Sequence, residues 1–215
     1  MRAEVLPADA EGAVDRAVEL LANGELVAFP TDTVYGVGAD AFQPKAVSKL
    51  FEAKIRPADK PVALLVAPEY DLGIIARELP PEAEVLARRF WPGGLTLVLW
   101  RSRAVPDAVT AGGPTVGIRV PDHPVALALI RGLGAPLAAT SANLSGRPSP
   151  LTAEDVVGQL GDRISLVLDG GRCPGGVEST VLDLTTPTPV VRRSGAISRE
   201  VLEAALGRPI AAQQA

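Results

Sequence analysis

The chain has 215 residues, of which 47% are hydrophobic and 21% charged, and its formal net charge is −4. These values are typical of a globular protein and exclude an overall basic field that would attract nucleic acid or an anionic membrane. One cysteine, Cys173, and one histidine, His123, exclude an internal disulfide and are too few for a zinc site. Because no apolar run is long enough to span a bilayer and no signal-peptide core follows Met1, we expect a cytoplasmic protein without membrane contact.

Segments with helical periodicity alternate with short apolar runs along the chain. Helices are predicted over 10–22, 43–54, twice within 69–90, over 124–133 and 152–160, and after Ser198. Strands are predicted over 26–29, 62–66, 95–100, 116–120, 136–139, 166–168, 180–184 and 190–193. This alternation predicts an α/β sheet covered by helices on both faces. Since no linker or repeat divides the chain, we expect one domain over 1–208 and a frayed tail over 209–215.

A cationic stretch, Lys54 to Lys60, follows the helix predicted over 43–54. Pro57 disfavours helical backbone at Arg56, so the helix should end at Lys54 and Arg56 should be extended. Because positions i and i+2 of an extended segment face the same way, Lys54 and Arg56 are predicted to converge on one anion. The alternative is a solvated helix end whose cations complement the helix dipole.

Other polar residues concentrate in loops near strand ends, over 30–36, 140–149 and 175–179. Because open α/β sheets bind ligands beyond the ends of their strands, these loops and the cationic stretch are predicted to line one cleft. Arg119 lies within an apolar strand, and we expect it to face an anion, or solvent if that strand is at the sheet edge.

The sequence gives little evidence for a catalytic histidine or cysteine or for a common glycine-rich phosphate loop. His123 lies in a turn that opens a helix and Cys173 lies beside Pro174 in a loop, so both are predicted to be structural. Neither common phosphate-binding glycine motif is present in the sequence. The segment 141–143, Ser-Ala-Asn, belongs either to the cleft or to an ordinary turn.

Five motifs occur in an order that is more specific than any one of them. They are Pro30-Thr31-Asp32-Thr33-Val34-Tyr35-Gly36, Lys54-Ile55-Arg56-Pro57, Thr115-Val116-Gly117-Ile118-Arg119, Thr140-Ser141-Ala142-Asn143 and Glu178-Ser179-Thr180-Val181. The ordered set, spread over residues 10–206, resembles the YrdC-like family of threonylcarbamoyl-AMP synthases in its single-domain bacterial form. The resemblance implies a single-domain, three-layer α/β fold of the YrdC/RibB-like type, with a twisted mixed β-sheet flanked by helices.

The resemblance also implies a reaction. L-threonine, bicarbonate and ATP, with Mg²⁺ on the phosphates, would give L-threonylcarbamoyl-AMP and pyrophosphate, so the activity would be that of a nucleotidyltransferase. Other proteins would then transfer the threonylcarbamoyl group to tRNA, and a weak contact with tRNA itself is expected. Attack of a carbamate on a phosphorus requires two anions to be brought together and the developing charge to be neutralised. Arginine and lysine side chains can do this without a protein nucleophile.

Site residues follow from the resemblance, position by position. The nucleotide side would comprise Lys54, Arg56, Lys60, Thr115, Ser141, Asn143, Ser149 and Arg193. The threonine side would comprise Thr31, Thr33, Tyr35, Arg119, Ala139 and Ser179. Lys54 and Arg56 would be the catalytic pair, and no side chain is assigned to the metal. Arg193 is preferred to Arg192 because it fits the family's Arg-x-Gly spacing with Gly195.

Two positions depart from the family pattern. Leu65 stands where many relatives have a histidine, which removes a contact with threonine. Lys60 stands where many relatives have an asparagine, which adds a cation to the phosphate side.

Two other functions remain as alternatives. An RNA-binding module would use a concave basic face made by Lys54, Arg56, Lys60, Arg119 and Arg193. The net charge of −4 and the aromatic content of 4% do not favour it. An O-carbamoyltransferase-like module, as found in hydrogenase maturation, would belong to a much larger chain with metal-binding motifs, which this sequence lacks.

Overall fold

The computed structural model describes residues 2–212. Its helices are α1 (Ala13–Ala22), α2 (Pro44–Lys54), α3 (Pro81–Phe90), α4 (Asp107–Thr110), α5 (Pro124–Leu133), α6 (Ala153–Leu160) and α7 (Arg199–Leu206). Its strands are β1 (Glu4–Pro7), β2 (Val27–Phe29), β3 (Gly36–Asp40), β4 (Ala63–Leu65), β5 (Leu95–Trp100), β6 (Thr115–Arg119), β7 (Leu137–Ser141), β8 (Leu166–Asp169), β9 (Thr180–Asp183), β10 (Val190–Arg193) and β11 (Ala211–Ala212). Within residues 2–212, no helix is long and apolar enough to cross a membrane.

One mixed sheet contains all of these strands, in the order β1-β8-β2-β3-β7-β4-β6-β5-β9-β10-β11. Near its centre, β6 runs parallel to β4 and antiparallel to β5, and β5 runs parallel to β9. The strand that carries Arg119 is therefore paired on both sides. The predicted mixed sheet is confirmed, and an edge position for Arg119 is excluded.

Helices cover both faces of the sheet. On one face, Leu21 of α1 and Leu129 of α5 join Phe29 of β2 in one apolar cluster. On the other face, Leu50 of α2 joins Leu97 of β5 in a larger cluster that also includes residues of α3, α6 and α7. Amphipathic helices thus bury their apolar stripes against both sides of the sheet, which confirms the predicted three layers.

The sequence pattern does not predict β1, β3, β11 or α4, and it predicts a helix where only a 3₁₀ turn forms, at Leu72–Ile74. β3 escapes prediction because its residues Gly36 and Gly38 have low strand propensity. In the sheet both glycines lie against the ring of Phe29, where an added Cβ would come within 3.2 Å of ring carbons. The glycines therefore make room for an aromatic ring on the neighbouring strand.

The boundary predicted for the C-terminal tail, residue 209, is too early. Ile210 is buried, its N–H donates to Oε1 of Glu203 at 2.9 Å, and Ala211–Ala212 pair in parallel with β10. A strand pairing that local sequence does not encode therefore holds the chain to the sheet as far as Ala212. Residues 213–215 of the predicted tail lie outside the described residues.

Candidate active site

A cleft of about 210 Å³ opens over strands β4, β5, β6 and β9. Its floor consists of alternate strand residues, because successive side chains of a strand point to opposite faces. Thr96 and Val98 line the cleft, whereas Leu97 between them packs in the core on the other side of the sheet. Gly117 and Val181 contribute to the floor in the same way. The cleft thus lies over a sheet face and has loops at its rim, instead of lying wholly beyond the strand ends.

Most of the side chains assigned from the sequence meet in this cleft. Those that line it are Thr31, Thr33, Tyr35, Arg56, Thr115, Arg119, Ala139, Ser141, Ser179 and Arg193. Leu65, at the position of the family's histidine, lines it as well. The lining set found among residues 2–212 does not include Lys54, Lys60, Asn143 or Ser149.

Lys54 is a buried anchor, with 1% of its surface exposed. It follows Leu50 by four residues, so helical periodicity places it on the buried stripe of α2. Its Nζ donates to the backbone oxygen of Ser141, to the backbone oxygen of Asn143 at 2.5 Å and to Oδ1 of Asn143 at 3.2 Å. The Ser141 hydroxyl also donates to that Oδ1, at 2.6 Å. Lys54 therefore ties the Ser-Ala-Asn segment to the end of α2.

The buried position of Lys54 affects the protonation of its amino group. Burial and, to a smaller extent, the charge of Arg56 together lower the pKa of Lys54 to about 8, while Glu178 opposes the shift. Its oxygen acceptors favour the ammonium form, which can donate three hydrogen bonds.

Helix α2 ends at Lys54, as predicted, and the next residue turns the chain. Ile55 has the left-handed backbone conformation, with φ of 51°. The N–H of Arg56 bonds the oxygen of Phe51 and the N–H of Ile55 bonds that of Glu52, which is the Schellman closure. Because Ile55 is not extended, the i, i+2 geometry from which convergence of Lys54 and Arg56 is predicted is absent. Lys54 contacts the backbone oxygens of Ser141 and Asn143, and an anion shared by Lys54 and Arg56 stays a prediction.

Arg56 lines the cleft while Lys54 does not. Its Nε donates to the oxygen of Lys60 at 3.0 Å and its Nη2 to the oxygen of Pro61 at 2.8 Å. Burial and then Arg193 lower the pKa of Arg56, and Glu178 acts in the opposite direction. The guanidinium groups of Arg56 and Arg193 therefore lie near each other in the cleft, and the carboxylate of Glu178 is close enough to affect Arg56.

Arg119 is held by contacts with neighbouring loops. Only 6% of its surface is exposed, and its pKa is lowered by burial and raised in part by Asp32. Nη2 donates to Oδ1 of Asp32 at 2.6 Å, Nη1 to Oγ1 of Thr33 at 3.0 Å and Nε to the oxygen of Gly93 at 2.9 Å. These contacts fix the plane of a buried cation that borders the cleft.

Arg193 reaches the cleft because β10 has an irregular register. Val191 pairs with Leu182, but Arg193 rather than the residue between them pairs with Val181. Val181 lines the cleft, and the shift gives Arg193 the same face. Arg192 instead donates to Oδ2 of Asp183 at 2.8 Å. The structure therefore places Arg193, and not Arg192, in the lining of the cleft.

The Arg-x-Gly spacing has a steric reason. Gly195 passes so close to the backbone of Glu178, Ser179 and Thr180 that an added Cβ would overlap the oxygen of Glu178. The N–H of Ala196 donates to that oxygen at 2.9 Å. The glycine lets the segment after β10 lie against the segment that carries the cleft residues.

Thr31 and Tyr35 shape the rim through their internal bonds. The Thr31 hydroxyl donates to the oxygen of Val34 at 2.7 Å and accepts from the N–H of Thr33 at 3.1 Å. The Tyr35 hydroxyl donates to the oxygen of Gly171 at 2.8 Å. Burial raises its pKa above the usual range for tyrosine. Neither hydroxyl points freely into the cleft, so these residues support its shape.

The remaining residues that the resemblance assigns to nucleotide binding have the following positions and contacts. Thr115 is half-buried at the start of β6, and Lys60 is exposed beyond Arg56. The Asn143 amide donates to the oxygen of Arg147 at 2.5 Å, and the Ser149 hydroxyl donates to Oε1 of Glu178 at 2.7 Å.

His123 and Cys173 take no part in the cleft lining described above. His123 is the N-cap of α5, and its Nδ1 accepts from the N–H of Val125 at 3.3 Å. Cys173 is buried, and burial raises the pKa of its thiol.

Sequence reasoning missed three contributors to the site. Glu178 lines the cleft and contacts Ser149 and Arg193, although it stood inside a recognised motif. Thr96 is buried in β5, and its hydroxyl lies 2.8 Å from that of Ser179. Asp32 pairs with Arg119. The sequence feature that could have indicated Thr96 is its polar side chain on the buried face of a strand. The roles of Glu178 and Asp32 could be found only from the tertiary structure.

Within residues 2–212, no group of three or more histidine, cysteine, aspartate or glutamate side chains is arranged to hold a metal ion. Glu178 is the carboxylate that lines the cleft, and both of its oxygens already accept hydrogen bonds. The residues present therefore suit a cation carried by ligand phosphates better than a dedicated metal cage.

Fold and cleft together define the class: a mixed α/β protein with an arginine-lined cleft on one face of its sheet. The family model for Sua5, YciO and YrdC, described as "Telomere recombination", matches residues 19–195. The chain belongs to this Sua5/YciO/YrdC family, which confirms the resemblance seen in its motifs.

Named relatives agree with this membership. The chain is 50% identical over 195 residues to the threonylcarbamoyl-AMP synthase of Bacillus subtilis, covering 90% of this chain and 56% of the relative. The chain is 49% identical over 191 residues to the threonylcarbamoyl-AMP synthase of Pyrococcus abyssi, and the match covers 89% of this chain and 56% of that relative. A crystal structure of P. abyssi Sua5 complexed with L-threonine superposes with a TM-score of 0.93 at 44% identity, covering 99% of this chain and 63% of that one. The chain thus spans just over half the length of these curated relatives.

Proposed function

We propose that this chain forms L-threonylcarbamoyl-AMP and pyrophosphate from L-threonine, bicarbonate and ATP. The observation that carries the proposal is the arrangement of three arginines around one cleft, Arg56 and Arg193 near each other and Arg119 deeper beside Thr33. Two anionic substrates that must react need such a site, where fixed cations hold both and offset their repulsion. The names of the similar synthases support the choice of substrates.

Threonine would occupy the part of the cleft near Arg119. Arg119 has N–H groups beyond the three that contact Asp32, Thr33 and Gly93, so it can also bind a carboxylate. Ser179 and Thr96 place hydroxyls on the same floor. The L-threonine complex of P. abyssi Sua5 supports an amino-acid site in this family.

ATP would lie on the side of Arg56 and Arg193. The amine of threonine and bicarbonate would first give the carbamate with loss of water. A carbamate oxygen would then bond to the α-phosphorus while the bond from that phosphorus to the bridging oxygen breaks, and pyrophosphate leaves with its electron pair. Arg56 and Arg193 would offset the charge that develops on the phosphate oxygens.

Mg²⁺ fits this proposal as a cation that arrives with the triphosphate. Glu178, the carboxylate that lines the cleft and pairs with Arg193, would supply one oxygen ligand. When bound, the metal would neutralise phosphate oxygens, as is usual where one or two carboxylates and substrate phosphates share it.

The experiment is to follow pyrophosphate release with ATP, Mg²⁺, bicarbonate and L-threonine. We expect pyrophosphate release that requires both threonine and bicarbonate. We also expect an adenylate product whose threonylcarbamoyl group is transferred to a suitable acceptor, such as tRNA in the presence of the partner proteins. Arg56→Ala should lower turnover by about 10²–10³-fold, as for loss of a transition-state donor. Arg103→Ala, an exposed position outside the cleft, is the matched control. Release that ignores threonine would refute the proposal.

The RNA-binding alternative loses much of its basis. Of the five cations of its concave face, Lys54 is 1% exposed and Arg119 6% exposed. Buried cations cannot reach the phosphates of a macromolecular backbone. A salt titration of tRNA binding is the measurement that would revive this alternative, if affinity fell steeply with salt.

A further inference from the structure

Glu178 is the counter-charge of a crowded group of arginines. Arg193 lowers the pKa values of both Arg56 and Arg119, which places its guanidinium within the influence of both. All three line the same cleft, so their like charges repel one another. The half-exposed side chain of Arg193 would avoid this repulsion by swinging into solvent.

Contacts from two residues hold Arg193 against that tendency. Its Nε and Nη2 donate to the oxygen of Ser179 at 3.1 and 2.9 Å, and Nη2 also reaches the Ser179 hydroxyl at 3.0 Å. Its Nη1 donates to Oε2 of Glu178. Of the five N–H donors of the guanidinium, Ser179 takes three and Glu178 one, so one N–H on Nη1 is left for a ligand, next to the N–H that Glu178 holds.

The carboxylate of Glu178 is itself fixed. The Ser149 hydroxyl donates to Oε1 at 2.7 Å, and the backbone oxygen accepts from the N–H of Ala196. Burial raises the pKa of Glu178, but Arg193, Ser149, Ser141 and Lys54 outweigh burial and hold it below its usual value. The side chain is therefore an anion at neutral pH and accepts from both sides.

We propose that Glu178 is a positioning residue that holds Arg193 in the cleft, so that this guanidinium meets an anionic ligand between Arg56 and Arg119. The inference rests on the proposed function, because it identifies the triphosphate as that anion. From charge alone, removing a negative group from the cleft should strengthen the binding of an anion. If Glu178 positions Arg193, its removal should instead weaken that binding.

The test is calorimetric binding of α,β-methylene-ATP to the full chain and to Glu178→Gln. We expect the dissociation constant of the variant to rise about tenfold, the usual effect of losing one charge-assisted hydrogen bond. The KM for ATP should rise by a similar factor while the KM for threonine changes little. Glu154→Gln, an exposed glutamate in the first turn of α6, is the matched control and should bind like wild type.

A double-mutant cycle shows whether Glu178 acts through Arg193. In an Arg193→Ala background, Glu178→Gln should have no further effect on analogue binding. If Glu178→Gln does not fold, Glu178→Asp replaces it, and the shorter carboxylate should also weaken binding because it cannot reach both Ser149 and Arg193. Unchanged or tighter analogue binding by the folded variant would overturn this inference. A wild-type chain that neither binds the analogue nor releases pyrophosphate would instead overturn the proposed function.

Discussion

The ammonium group of Lys54 lies 2.5 Å from the backbone oxygen of Asn143. This bond joins the two halves of the sequence signature, the Lys-x-Arg stretch and the Ser-x-Asn segment, although they are far apart in the chain. It also separates the roles of the two cations, since Lys54 supports the framework while Arg56 borders the cleft. The signature is thus partly a packing motif.

We predict that Lys54→Met destabilises the protein. Methionine fills a similar volume but leaves the backbone oxygens of Ser141 and Asn143 without their donor in a buried place. The free energy of unfolding should fall by about 3 kcal/mol, the scale of buried acceptors left unsatisfied. Urea denaturation measures this, and Lys45→Met, on the exposed side of the same helix, should change it by less than about 0.5 kcal/mol. Equal midpoints for the two variants would contradict the anchoring role.

Gly195→Ala should be more damaging than an ordinary glycine substitution. The new Cβ would push on the backbone of Glu178 and Ser179, so we expect a loss of about 1–3 kcal/mol together with reduced turnover. Gly158→Ala is the control, because it lies in α6 with open space around it and should stabilise by up to about 1 kcal/mol. Similar denaturation curves for both variants would show that the close approach at Gly195 is tolerated.

Arg119→Lys should weaken the binding of L-threonine by at least about tenfold, because a single ammonium cannot reproduce the bidentate geometry of a guanidinium. Lysine cannot contact Asp32, Thr33 and Gly93 together and still present a donor to a carboxylate. Calorimetric titration with threonine checks this, and Arg131→Lys, at an exposed ion pair with Glu69, serves as the control. Wild-type affinity in Arg119→Lys would place the threonine carboxylate elsewhere.

His123 should make stability depend on pH in mildly acidic solution. Burial lowers the pKa of His123 in the folded protein, although Asp32 and Asp122 raise it in part. Below the unfolded value of 6.5 the unfolded chain binds the proton more tightly, so stability falls as the pH drops, until the folded pKa is passed. Protonation also removes the Nδ1 acceptor that caps α5.

The comparison that isolates this effect is with His123→Asn, which keeps a capping acceptor and does not titrate. Between pH 8 and pH 5, the unfolding free energy of the native chain should fall relative to that of the variant. The difference should be constant above about pH 8, where His123 is almost fully deprotonated in both the folded and the unfolded state. Parallel pH profiles would refute the assignment.

The sequence by itself determined the elements with strong local patterns. Helices α1, α2, α5 and α6 and the apolar strands follow from periodicity and turn residues. The ordered motifs also identified the family. Such features depend on neighbours in the chain, so a linear reading can find them.

Only the tertiary structure decided which polar residues meet. Glycine-rich β3 is a strand because it packs on Phe29 and pairs with two neighbours, and Arg119 is central because β6 is paired on both sides. After buried Lys54, the left-handed turn at Ile55 leads the chain to Arg56 at the cleft, and the register shift of β10 places Arg193 in the cleft lining. The strand pairings and the register shift depend on contacts between separate strands, which local propensity does not contain.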